Sequence, residues 1–138
     1  MPNGNPSVNN PAGVHPPIGA YSHVAESSGG RTLYLAGQVG LDAAGSLTGD
    51  GGAHAQTLET FRNIGRLLES AGASWANVVQ FTTYVVGRDA VQPFLDARRE
   101  AFAECYPDGA YPPNTLLIIP GLVREDLLVE ITTIAVVD

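Results

Sequence analysis

Basic side chains are scarce in this sequence. Lys and Arg together number 7 against 14 Asp and Glu, giving a formal net charge of −7. A chain so acidic repels phosphate backbones and anionic lipid surfaces, so neither nucleic acid nor a membrane is expected as a partner. No basic run offers a local exception; the longest cluster, Arg98-Arg99, is followed at once by Glu100. Cysteine is represented only by Cys105, which excludes an intrachain disulfide. With no neighbouring cation to favour a thiolate, it reads as a small buried hydrophobe. No apolar stretch is long enough to span a bilayer. The first residues, Met-Pro-Asn-Gly-Asn-Pro-Ser, have neither the basic start nor the apolar run of a secretory signal. The expectation is a reduced, cytoplasmic protein. His15, His23 and His54 lack metal-ligand spacing, so no metal site is expected. The pairs Gly29-Gly30 and Gly51-Gly52 read as turns, because neither fits a phosphate-binding fingerprint.

The chain does have the means for a core. It has 138 residues, 44% of them hydrophobic, the size of one domain; two domains would each bury too little. Residues 1–13, rich in Pro, Asn and Gly, predict a loosely held arm, and residues 14–138 a single domain. Strands are predicted at residues 20–26, 32–39, 78–86, 115–119 and 127–137, with a short hairpin strand at 46–48. Gly37 and Gly40 interrupt the second strand, as at a bulge or a close backbone approach. A first helix is predicted over residues 53–71, with Leu58, Phe61, Ile64 and Leu68 on its apolar stripe, widened by Leu67 and Ala71. Glu59, Arg62, Arg66 and Glu69 fill the opposite side, and Gly72 provides the C-cap. A second helix covers residues 91–105, with Asp89 as candidate N-cap, Pro93 in the first turn, and Phe94, Ala97, Ala101, Phe102 and Cys105 inward.

The last strand is apolar on both alternating sets: Val129, Ile131, Thr133, Ala135 and Val137 on one face, Leu128, Glu130, Thr132, Ile134 and Val136 on the other. Both faces should therefore be covered. Two helices cover only one face of such a sheet. Self-association through the second face is the simplest way to close it without a large exposed apolar patch.

The order of elements, together with Ile18-Gly19-Ala20-Tyr21-Ser22, Leu35-Ala36-Gly37-Gln38-Val39, Val79-Gln80-Phe81-Thr82-Thr83-Tyr84-Val85 and Val129-Glu130-Ile131, resembles the RidA/YjgF family from about Val14 to the C-terminus. No one segment is specific; their order and spacing together are. The resemblance implies an α+β, chorismate-mutase-like fold: a mixed sheet of about six strands with two helices on one face. It also implies a homotrimer with ligand clefts between subunits. Members similar to RidA hydrolyse reactive enamines and imines, such as 2-aminoacrylate, to a 2-keto acid and ammonia, without metal or organic cofactor. Carried over by position, the resemblance makes Glu130 the catalytic group that positions or activates water. It gives Tyr21, Gly37, Asn114 and Asp96 substrate-binding positions. His23, two residues after Tyr21, is a further candidate pocket residue.

The sequence departs from the family pattern in one consequential place. The family's carboxylate-binding arginine is replaced by Asn114, in Pro112-Pro113-Asn114-Thr115. A guanidinium offers a permanent charge and a planar fork, whereas an amide offers two neutral donors. The exchange costs about 2–4 kcal/mol of carboxylate binding. Smaller departures are Ala36 for a serine and Asp96 for an asparagine. Two functions therefore stand: an enamine or imine hydrolase, and a non-catalytic ligand-binding or chaperone-like trimer. The endoribonuclease label attached to some relatives fits poorly with a net charge of −7. Bland readings accompany each residue. Glu130 could be a structural glutamate at a subunit interface, Tyr21 a core aromatic and Asn114 a turn residue. The functional reading of Glu130 rests on its apolar neighbours, whose partial desolvation suits acid or base work.

Overall fold

The computed structural model of the chain describes residues 5–138. Its elements run β1 (Ser7–Asn9), β2 (Val24–Glu26), β3 (Arg31–Val39), α1 (Ala53–Ser70), β4 (Val78–Val86), α2 (Val91–Cys105), β5 (Asn114–Ile119) and β6 (Val129–Val137). The fold is α+β, as expected, but the six strands do not share one sheet. Four form a sheet in the order β3-β6-β4-β5, while β1 and β2 pair as a separate antiparallel ribbon. The main sheet is mixed. β4 and β5 run parallel, joined through α2, and the other pairings are antiparallel, because a parallel pair needs a crossover long enough to return the chain.

Several local expectations shift. Residues 1–4 of the expected loose arm lie outside the described residues. From Asn5 onward the arm has partners: Ser7–Asn9 pairs with Val24–Glu26, and Asn77 Nδ2 donates to Asn5 Oδ1 at 3.1 Å. The strand expected at residues 20–26 shortens to three residues. Residues before it belong to a loop, where the Ser22 N–H donates to the Pro112 carbonyl at 3.4 Å. The hairpin at residues 46–48 reduces to a single bridge between Leu41 and Leu47. Asp89 does not cap α2. It sits in a 3₁₀ turn, Arg88–Ala90, that leads into the helix, so Ala90 occupies the cap position.

The buried stripe of α1 is more polar than its leucines suggested. Gln56, Thr57, Glu59, Thr60, Phe61, Ile64 and Leu68 are buried, while Leu67 faces out. These polar groups carry internal partners, which is what makes their burial tolerable. Thr57 and Thr60 hydroxyls donate to the carbonyls of Ala53 and Gln56 at 2.7 Å. Gln56 ties α1 to two loops: Nε2 donates to the Gly51 and Asp126 carbonyls at 2.9 and 2.8 Å, and Oε1 accepts from the Leu128 N–H at 2.8 Å. Glu59 is buried rather than solvent-facing because Arg62 and Arg66 fold back over it, at 3.3 and 2.9 Å.

Both helices lie on one face of the sheet. Between them and the strands sits an aromatic cluster in which Phe61 meets Phe81, Phe102 and Trp75 edge-on, with centroids 5.4–6.1 Å apart. Each such ring contributes roughly 1.5–3 kcal/mol by burial. On β6, Val129, Ile131, Thr133 and Ala135 point into this core, while Glu130, Thr132 and Ile134 are half-buried on the other face. Neighbours on that face include Tyr34, 78% exposed, and the half-buried Thr82 and Tyr84. The single chain thus leaves its second face unclosed.

One core group is unpaired. The Thr133 hydroxyl is fully buried and lacks a hydrogen-bond partner among the described residues. A buried orphan hydroxyl costs about 1–3 kcal/mol. Thr133→Val, which keeps the shape and removes the orphan, is expected to stabilise the protein by about 1 kcal/mol and raise Tm by a few degrees. Differential scanning calorimetry measures this, and a lower Tm would mean that the hydroxyl has a partner in solution.

Candidate functional site

A bulge on β3 builds the centre of the candidate site. Leu35 pairs with Thr133 and Gln38 with Ile131, so Ala36 and Gly37 together oppose Thr132. Such an extra residue bends the strand and re-aims its neighbours. The bulge brings the Gly37 backbone against Glu130: a Cβ placed at Gly37 would lie 2.2 Å from Glu130 Oε2 and 2.8 Å from its Cδ. Only a residue without a side chain leaves the carboxylate its present position. Glu130 is half-buried, and its carboxylate has no hydrogen-bond or ion-pair partner among the described residues. Its register partner on β4 is Tyr84, on the same face. Sequence reasoning had not singled out Tyr84; its place beside Glu130 follows from the antiparallel register of β4 on β6.

Asn114 lies elsewhere. It begins β5, an edge strand, and pairs with Phe81. Thr83 Oγ1 donates to Asn114 Oδ1 at 2.8 Å, which fixes the amide on the helix side of the sheet, where Thr83 is buried. Its Nδ2 donors make no hydrogen bond among the described residues. Asn114 and Glu130 therefore face opposite sides of one sheet, and a single chain does not bring them together.

Tyr21 and His23 form a third group. Their rings meet edge-on with centroids 5.7 Å apart, and the Tyr21 hydroxyl accepts the Ile18 N–H at 3.4 Å. His23 is bound to the arm: its backbone N–H donates to Asn10 Oδ1 at 2.7 Å, and its Nε2 lies 2.6 Å from the His15 carbonyl, which it reaches as an N–H donor. No hydrogen bond ties this pair to Glu130. Asp96, on α2, accepts from Gln92 at 2.9 Å and faces Arg99 at 3.5 Å.

The Cys105 thiol is pushed up to about 11, first by burial and then by Glu104, so it stays protonated at neutral pH. Burial likewise raises the Tyr106 phenol strongly; its hydroxyl donates to the Trp75 carbonyl at 2.9 Å.

Sequence reasoning also missed Arg98. It is only 7% exposed, and burial holds its guanidinium below the usual arginine range, opposed by the nearby Tyr111. It stacks over Phe94 and Phe102, 5.4 and 5.8 Å from their centroids. Cation–π contact contributes about 2 kcal/mol when desolvated, whereas removing an ion from water costs several. Stacking thus offsets only part of the cost. No carboxylate pairs with this arginine among the described residues.

Comparison with known proteins agrees with this architecture. The family described as Endoribonuclease L-PSP matches residues 13–137. A RutC family protein of Synechocystis is 30% identical over 121 residues, spanning 87% of this chain and 88% of its own. The mouse 2-iminobutanoate/2-iminopropanoate deaminase is 29% identical over 119 residues, 86% of this chain and 82% of its own. Among solved structures, the Rid family protein YyfB of Yersinia pestis, of unknown function, superposes with a TM-score of 0.85 at 32% identity, covering 96% of this chain and 99% of that one. RidA of an Antarctic Psychrobacter superposes at 0.66 with 27% identity, covering 88% and 92%. The fold is that of the Rid proteins, two helices on a mixed sheet. This chain belongs to the RidA/YjgF family, in which imine deaminases are found.

Proposed function

We propose that the protein hydrolyses a small imine or enamine, or a related unsaturated metabolite, in clefts formed between sister chains. The observation that carries this reading is the half-buried Glu130 carboxylate, without a partner among the described residues and held against the Gly37 backbone at the β3 bulge. A carboxylate so placed can take a proton from water as the oxygen attacks the C=N carbon. The proton returns from Glu130 to the nitrogen, giving a carbinolamine. The carboxylate then passes the hydroxyl proton to the amino group as the C–N bond breaks, giving a carbonyl product and ammonia, and an enamine enters the same route as its imine tautomer. The kinship with named 2-iminobutanoate/2-iminopropanoate deaminases supports the reaction class.

The cleft would draw on more than one chain. Glu130 and Asn114 face opposite sides of the sheet, and the face that carries Glu130 has no cover of its own. Packing that face against the β5 edge of a neighbour would close it and present the free Asn114 amide to a substrate. A homotrimer, the assembly that the family resemblance implies, does this three times over. Tyr21, Gly37 and Asp96 would shape the cleft, with His23 at its margin. No cofactor takes part in this scheme. An amide in place of the family arginine binds a carboxylate more weakly, which favours substrates other than simple 2-imino acids.

The same exchange favours a second reading, a trimer that binds such ligands without turning them over. Ammonia release in the presence of a 2-aminoacrylate source separates the two. The hydrolase is expected to release ammonia well above the uncatalysed rate and to sediment as a trimer. No rate with several enamines would leave the binding protein, and a compact monomer in sedimentation would sink both.

A further inference from the structure

A cavity not lined by Glu130 lies between α2 and the segment that precedes Tyr21. It encloses about 520 Å³, within the range of small-molecule clefts, roughly 300–1,000 Å³. Its walls are largely apolar and aromatic, among them Ile18, Leu95, Phe102 and Tyr111, and its charged lining residues are Arg98 and Arg99. No acidic side chain lines it among the described residues. Arg99 is partly neutralised by Asp96 at 3.5 Å. Arg98 has no anionic partner among the described residues: more than nine-tenths buried, it stacks over Phe94 and Phe102. The chain passes directly over it, since a Cβ at Gly19 would lie 3.4 Å from Arg98 Nη2. Tyr111 lies flat on Phe102, centroids 5.5 Å apart at 22°. Tyr111 is close enough to couple electrostatically with Arg98, and its hydroxyl makes no hydrogen bond among the described residues.

We propose that this cavity is a binding site for a small carboxylate with an aromatic or branched apolar body. The Arg98 guanidinium takes the carboxylate, Tyr111 offers a further hydrogen bond, and the body packs on the aromatic walls. A buried guanidinium is left short of partners until a planar anion meets its fork. A single unneutralised charge in an apolar pocket matches a monoanion of this kind better than a hydrated, multiply charged phosphate. The site goes beyond the proposed hydrolase reaction and uses none of the residues assigned to it.

Benzoate is the probe, with benzyl alcohol as its neutral counterpart, and isothermal titration calorimetry on the full chain is the measurement. Benzoate is expected to bind saturably and benzyl alcohol about tenfold or more weakly than benzoate. Arg98→Met should weaken benzoate by about tenfold or more, and Arg98→Lys, which keeps charge but loses the fork, by less. Ala103→Trp, at an exposed position on the cavity wall, should block binding while Arg98 stays in place; it carries the test if Arg98→Met fails to fold. Glu130→Gln should bind benzoate as the parent does, so this site stands or falls apart from the hydrolase reading. Absence of saturable benzoate binding, equal binding of benzyl alcohol, or unchanged affinity in both Arg98→Met and Ala103→Trp would overturn the proposal. Loss of binding in Glu130→Gln alone would overturn it too, by placing the carboxylate on the opposite face.

Discussion

Replacing Glu130 with Gln is expected to lower ammonia release by ~10²–10⁴-fold, the range for loss of a general base, with no change of fold. Glutamine keeps the size and polarity of the side chain but cannot accept the proton. Gly37→Ala is expected to give a loss of about 10²-fold by a different physical route. Its new Cβ would fall 2.2 Å from Glu130 Oε2 and 3.0 Å from Cγ, closer than such atoms approach, so something must move. The displaced atoms are the end of a flexible side chain, and Gly37 does not need a positive φ. The carboxylate therefore moves, and the sheet does not. Stability should change by about 1 kcal/mol or less, part of the strain being offset by the lower entropy of the unfolded alanine chain. Steady-state kinetics beside urea denaturation of each variant separates catalysis from folding. Parent-like activity in Gly37→Ala would show that the position of Glu130 against the bulge does not matter, and parent-like activity in Glu130→Gln would remove it from the chemistry.

Three residues further along the chain, the same substitution should have the opposite outcome. A Cβ at Gly40 would lie 2.5 Å from the Cα of Gln56 and 2.7 Å from its carbonyl oxygen. Here the obstacle is the backbone of α1, which cannot swing aside. Gly40→Ala must push the helix away from the sheet and with it the three Gln56 hydrogen bonds to Gly51, Asp126 and Leu128. Overpacking contributes about 1–3 kcal/mol, and each weakened hydrogen bond about 1 kcal/mol. A total of about 4–6 kcal/mol is a large share of the roughly 5–15 kcal/mol that holds a typical domain together. The expected result is a fall in Tm of roughly 10 °C or more, or loss of soluble protein. A Tm within a few degrees of the parent would show that α1 is less firmly seated than its contacts imply.

How much of this was legible beforehand varies by level. Both helices fall where apolar periodicity puts them, and the strands at residues 78–86 and 115–119 match to within a residue. These are local patterns, and local patterns survive folding when the core they imply is formed. The glycines at 37 and 40 were visible as interruptions of a strand, but what approaches each was not. One meets a side-chain carboxylate and the other a helix backbone. Glu59 looked like a solvent-facing residue and is buried, as is Gln56, because their partners come from Arg62, Arg66 and two separate loops. Arg98 stood out in the sequence only as part of a short basic cluster with Arg99, yet it is buried against rings of its own helix.

The order of elements, the two helices, the uncovered sheet face and membership of the family are set by the order of residues alone, because periodicity, turn chemistry and motif spacing are properties of neighbouring positions. Tertiary structure alone decided that Gly37 cradles Glu130, that Asn114 turns to the other side of the sheet, and that a guanidinium is shut in without an anion among the described residues. Each of these depends on which distant segments meet and in what register, and a one-residue bulge or a quarter-turn of a helix is enough to reverse it.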